Sequence, residues 1–174
     1  TVAVGRAMTL VRVFKFTRWA VIWAAVLITA AMLRYPGGTW RNRSTPGYSF
    51  FENSLSDLGA TVAWSGQPNT GSPVLFAAGF GLAALAAAGC LVGLVQLYTA
   101  TPASRWLSRS AGAFGVISCV GAIAVAVTPW DRHQLLHHQL VFMASAALII
   151  AATSLAWAAA LNEHLPRKVC IGWL

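Results

Sequence analysis

Seven residues hold most of this chain's capacity for chemistry. Glu52, Asn53, Ser56 and Asp57 lie in the stretch YSFFENSLSDLGA (48–60), and Asp131, His133 and His137 in PWDRHQLLHHQ (129–139). A His-x-x-x-His pair sets two imidazoles one helical turn apart, and with one carboxylate it forms the ligand set of many catalytic zinc sites. His133 and His137 with Asp57 make such a set, Glu52 is the alternative carboxylate, and Ser56 can hydrogen-bond behind it. Without a metal, the same groups can hold a proton or a lipid headgroup. The plainer reading spends them on helix ends and on tying a loop to a helix.

Local pattern supports that plainer reading for several of them. Ser49-Phe50-Phe51-Glu52 has the form of a capping box, and Gly59 suits the left-handed residue that ends a helix. Phe51, Leu55 and Leu58 recur on one face between them. A short amphipathic interfacial helix is therefore expected over about 50–58. Asp131 stands where an N-cap would, with Gln134 three residues on, and His138 points away from the His133/His137 face. Glu52 is thereby a capping partner. Asp57 sits late in the expected helix, against the dipole, and is left without a local duty.

The elements that must position these residues are membrane spans. The chain is 57% hydrophobic and 9% charged, with a mean hydropathy of +0.66. Soluble domains carry roughly 25% charged residues. A span needs about 20 apolar residues, and four stretches qualify: about 14–35, 74–98, 107–128 and 132–161, with Pro73 opening the second and Pro129 closing the third. The terminal VCIGWL is either an interfacial stub or the start of a fifth helix. The first helix reads as uncleaved, because Arg34-Tyr35-Pro36 follows it where small residues would mark a signal-peptide cleavage site. The fold class is accordingly all-α, a polytopic transmembrane helix bundle forming a single membrane domain.

Charge sets the expected orientation. Arg6, Arg12, Lys15, Arg18, Arg105, Arg109, Arg167 and Lys168 fall on one side, against Arg34, Arg41, Arg43 and Arg132 on the other. The positive-inside rule puts the N-terminus in the cytoplasm and the first and third loops outside. In either orientation those two loops share a face, so the seven residues meet there. The net charge of +8 is distributed along span ends rather than gathered on one soluble face, which excludes a nucleic-acid partner. Cys90, Cys119 and Cys170 lie in apolar runs and read as small hydrophobes. Gly89/Gly93, Ser108/Gly112 and Ser118/Ala122/Ala126 space small residues every four, as closely packed membrane helices require.

The run F-x-E-N-S-L-S-D-L-G-A (51–60 with the preceding Phe50) after the first span resembles a prokaryotic multi-pass membrane family known only as domain of unknown function nine-nine-eight. Pro129, Asp131 and His137 stand where that family has a proline-bearing outer turn and a His-containing helix start. The resemblance implies about six helices and the plasma membrane of a prokaryote, and it brings no activity. A more distant similarity, to membrane hydrolases of the ceramidase and adiponectin-receptor type, implies zinc held by His133, His137 and Asp57 with Ser56 beside it. The order of those residues departs from that pattern.

The expected function is a non-enzymatic membrane protein, either handling membrane lipids or serving as an accessory subunit beside other membrane proteins. The alternative is a metal-dependent hydrolase acting on a lipid or headgroup at the outer face. A transporter ranks third, because no charge is placed at mid-membrane.

Overall fold

The computed structural model describes residues 2–161, with side chains from Val11 onward. Four helices run antiparallel in sequence: α1 (Val2–Arg34), α2 (Ser72–Val95), α3 (Pro102–Val127) and α4 (Gln134–Ala160). Each contains a stretch long and apolar enough to cross a membrane, beginning at Val11 in α1. The chain is an all-α, multi-pass membrane protein.

Each helix packs on its neighbour in sequence: α1 on α2, α2 on α3, α3 on α4. Small residues make the contacts, since lipid gives two apolar helices no hydrophobic reason to associate and close backbone approach must supply the attraction. Ala20, Ala24 and Ala31 of α1 are buried, as are Ala144, Ala147, Ala151 and Ala158 of α4. A Cβ on Gly121 of α3 would lie 2.9 Å from the Ala144 Cβ, and one on Gly79 of α2 would lie 3.0 Å from Leu27 and Ile28. The predicted small-residue stripes therefore act within the chain: Gly89 faces Thr17 of α1, and Ser118 and Ala126 are buried.

Helix boundaries moved at the polar ends. α3 starts at Pro102 rather than near 107, because the Thr101 hydroxyl accepts the Ser104 N–H at 3.0 Å and Pro102 occupies the first turn. Arg105 and Arg109 had placed this turn in a loop, but long basic side chains reach water from inside a helix. α2 starts two residues and ends three residues earlier than expected, and α4 begins at Gln134 instead of 132. The terminal VCIGWL lies outside the described residues.

Residues 35–71, joining α1 to α2, form a folded cap over one end of the helices. Two isolated antiparallel bridges shape it, Gly37 with Pro46 and Val62 with Pro68. Gly38 has a φ of +83°, and a Cβ there would collide with the Ser65 nitrogen, so two segments of the cap cross where only glycine fits. Beneath the cap, Ala31, Tyr35, Leu58, Ala63, Phe76 and Ala126 make a small core.

Candidate functional site

The expected helix over 50–58 is replaced by a shorter device. Residues 50–53 make turns, and only Leu55–Gly59 is helical, as a single 3-10 turn. Ser49 and Glu52 do not start it. Ser54 does, and the Asp57 carboxylate accepts the Ser54 N–H at 2.9 Å. Asp57 thus has the local duty the sequence denied it: in a turn this short it reaches back to the N-terminal donors, where negative charge is favourable. Gly59 is not left-handed. It is glycine because a Cβ would meet the Phe76 ring at 3.0 Å. Of the expected apolar face only Leu58 is fully buried, while Phe51 is 94% and Phe50 72% exposed, packed edge to face on each other.

Asn53 is the hub of the cap. Its Oδ1 accepts the Ser49 N–H at 2.9 Å, and its Nδ2 donates to the Gly38 carbonyl and to Asp57 Oδ2, both at 3.0 Å. Asn53 and Asp57 are both buried, so each bond is made away from water, where an unpaired group would cost most. Two phenols stand nearby. The Tyr35 hydroxyl accepts the Trp64 N–H at 3.2 Å, and Tyr48 donates to the Asn53 carbonyl at 3.4 Å. Burial raises the pKa of both, and the negative charge of Asp57 raises them further, although the Trp64 N–H works the other way at Tyr35.

Asp131 does not cap α4. The residue at that position is His133, which makes no side-chain cap bond. The Asp131 carboxylate instead reaches the cap, accepting the Thr61 hydroxyl at 2.6 Å and the N–H groups of Thr61 and Val62 at 3.0 and 3.2 Å. Partial burial pushes the Asp131 carboxyl up, but these donors outweigh it and hold the group below its ordinary value. Arg132 adds a bond from Nε to the Thr61 hydroxyl at 3.0 Å. The loop between α3 and α4 is thereby fastened to the α1–α2 loop, as their shared face required.

The two histidines separate. His133 is exposed, whereas His137 is 4% exposed and held at both ring nitrogens. Nδ1 lies 2.7 Å from the Thr128 carbonyl, which can only accept, so Nδ1 carries the proton. In the neutral ring Nε2 then presents a lone pair, and Ser56 Oγ lies 3.3 Å from it. Among the described residues no three His, Cys, Asp or Glu side chains group as a metal's ligands would. The zinc set of His133, His137 and Asp57 does not assemble, because Asp57 turns inward to Asn53 and Ser54 while His137 meets Ser56. Glu52 is exposed and lies outside the network.

Sequence reasoning missed Asn53 as a hub and passed over Thr61, Trp64 and Trp130. Trp64 and Trp130 pack at a tilt of 36° with centroids 5.1 Å apart, and the Arg43 guanidinium lies 5.9 Å from the Trp64 ring. Among the described residues, the buried indole N–H groups of both have no acceptor and the Ser65 hydroxyl has no partner. No motif in the sequence marks this seam; only its position between two aromatic-basic loops hints at it. Compared with protein-family models, with curated proteins and with solved structures, the chain matches none.

Proposed function

We propose that this protein handles phospholipid at the membrane face that carries the cap, its aromatic-basic seam receiving the headgroup phosphate. The observation that carries the reading is the excess of donors at that seam. Among the described residues the two tilted indoles and the Ser65 hydroxyl lack partners, Arg43 lies beside Trp64, and Arg132 follows Trp130 by two residues. Phosphate oxygens accept such donors, and arginine binds them through several N–H groups at once. Asp57 and Asp131 accept from Asn53, Thr61 and backbone N–H groups rather than from a guanidinium, and Arg132 gives its Nε to the Thr61 hydroxyl, so its terminal N–H groups and those of Arg43 are the ones a phosphate would engage. Trp40, with Arg41 4.8 Å from its ring, extends the same interfacial rim. By the distribution of Lys and Arg this face is the outer one, with the N-terminus in the cytoplasm.

Native mass spectrometry from nanodiscs tests this reading. The protein should retain a phospholipid in preference to a phosphate-free glycolipid of the same chains. A combined Arg43→Gln and Arg132→Gln variant should lose the preference. Equal retention of the two lipids by the wild type overturns the assignment.

A second reading, as a subunit of a larger membrane assembly, is favoured by the open order of the helices. Only 17–33% of each apolar stretch is buried, and α1 and α4 stand at opposite ends of the packing order. A stoichiometric partner after purification in mild detergent supports this reading; a lone monomer removes it.

A further inference from the structure

We infer that Ser56 and His137 form a nucleophile–base pair directed at a carboxylic ester of a lipid held at the capped face. The step rests on the phospholipid reading for its substrate but not for its chemistry. The Thr128 carbonyl fixes the Nδ1–H tautomer at 2.7 Å, so the basic Nε2 is turned toward Ser56 Oγ, 3.3 Å away. That is the relation a serine nucleophile needs: a base within reach, held in one tautomer by a third group. Here a backbone carbonyl at the end of α3 orients the ring.

The serine is positioned by the backbone around it. It lies in the Leu55–Gly59 turn, which Asp57 pins to Ser54 and Asn53 and which ends on Leu58, fully buried in the core, and Gly59 against Phe76. Ser56 itself is half-buried, on the rim rather than inside. Such fixation of a reacting group by its supports is what catalysis by orientation requires. Phe50 and Phe51, exposed next to the turn, form an apolar pair that acyl chains can cover.

In the reaction, Ser56 Oγ adds to the ester carbonyl carbon while His137 Nε2 takes the hydroxyl proton. Collapse of the adduct breaks the acyl C–O bond, and the lipid alcohol leaves with that proton. Water, deprotonated by the same nitrogen, then cleaves the Ser56 acyl ester and releases the fatty acid, and Ser56 recovers its proton.

A fluorophosphonate probe tests the pair in the folded protein in detergent, with adducts mapped by mass spectrometry. The Ser56 oxygen should form the bond to phosphorus as fluoride leaves, while the exposed Ser54 of the same turn stays unmodified. Ser56→Ala should abolish the adduct. His137→Gln, which keeps a hydrogen-bonding side chain but no base, should slow it about 100-fold or more, while His138→Ala leaves the rate unchanged. Monodisperse elution confirms that each variant is folded. If His137→Gln does not fold, the wild-type contrast between Ser56 and Ser54 decides. An unmodified Ser56 in the wild type, or equal rates in wild type and His137→Gln, overturns the inference. Neither result bears on phospholipid retention, which is measured separately.

Discussion

Replacing Asn53 with alanine should be among the most damaging single changes outside the helix contacts. The side chain makes three hydrogen bonds, to the Ser49 N–H, the Gly38 carbonyl and Asp57 Oδ2. Removing a neutral buried bond costs about 1 kcal/mol, and one to a charged group about 1.5–3 kcal/mol. Two neutral bonds and one charged bond together come to about 3.5–5 kcal/mol. Among the described residues Asp57 would keep the Ser54 N–H alone while remaining buried, which places the loss toward the upper end. Glu52→Ala is the matched control: the neighbouring side chain is exposed, and its removal should change stability by no more than about 0.5 kcal/mol. Equilibrium unfolding in mixed detergent micelles, followed by tryptophan fluorescence, measures both. A loss below about 1 kcal/mol for Asn53→Ala, or equal losses for the two variants, would refute the hub and restore Glu52 as the capping residue.

Other outcomes follow from the same contacts. Leu58→Ala should cost about 2–5 kcal/mol, because the side chain fills the core under the cap, whereas Phe51→Ser should leave detergent stability nearly unchanged; thermal unfolding separates them. Gly121→Ile would drive a branched side chain into the Ala144 backbone, 3.3 Å from where its Cβ must stand, and should cost about 2 kcal/mol or more by the same assay. Asp131 has a lowered folded pKa, so its stabilisation is fully present above the ordinary carboxylate value of 3.8 and is lost as pH falls through the lower folded value. The stability gap between wild type and Asp131→Asn should therefore be constant above about pH 5 and close under stronger acid. Tyr35→Phe removes the acceptor of the Trp64 N–H and should cost about 1–2 kcal/mol, read as a lowered melting temperature.

What the sequence disclosed depended on which physics governed each segment. The four spans were legible because bilayer thickness imposes a length and a composition that nothing local overrides. The meeting of loops one and three was legible too, as it follows from counting spans. The cap was not. The pattern Ser49-x-x-Glu52 satisfied a local rule, yet the chain started its turn at Ser54, because Asn53 could bind Gly38 fifteen residues away. Gly59 was read as a conformational need and proved to be a steric one, set by Phe76 in another helix. The pairing of His137 with Ser56, rather than with His133, depended on the Thr128 carbonyl, whose position no side-chain spacing records. In each case a long-range contact decided between local options of similar energy.

The central claim is that phospholipid engages the capped face, and a photoactivatable phospholipid with its reactive group beside the phosphate tests it most directly. After illumination in nanodiscs, the account predicts adducts concentrated in peptides spanning Trp40–Trp64 and Trp130–Leu136, and reduced there by Arg43→Gln with Arg132→Gln. Adducts spread evenly between that face and the 96–101 loop at the opposite end would contradict it.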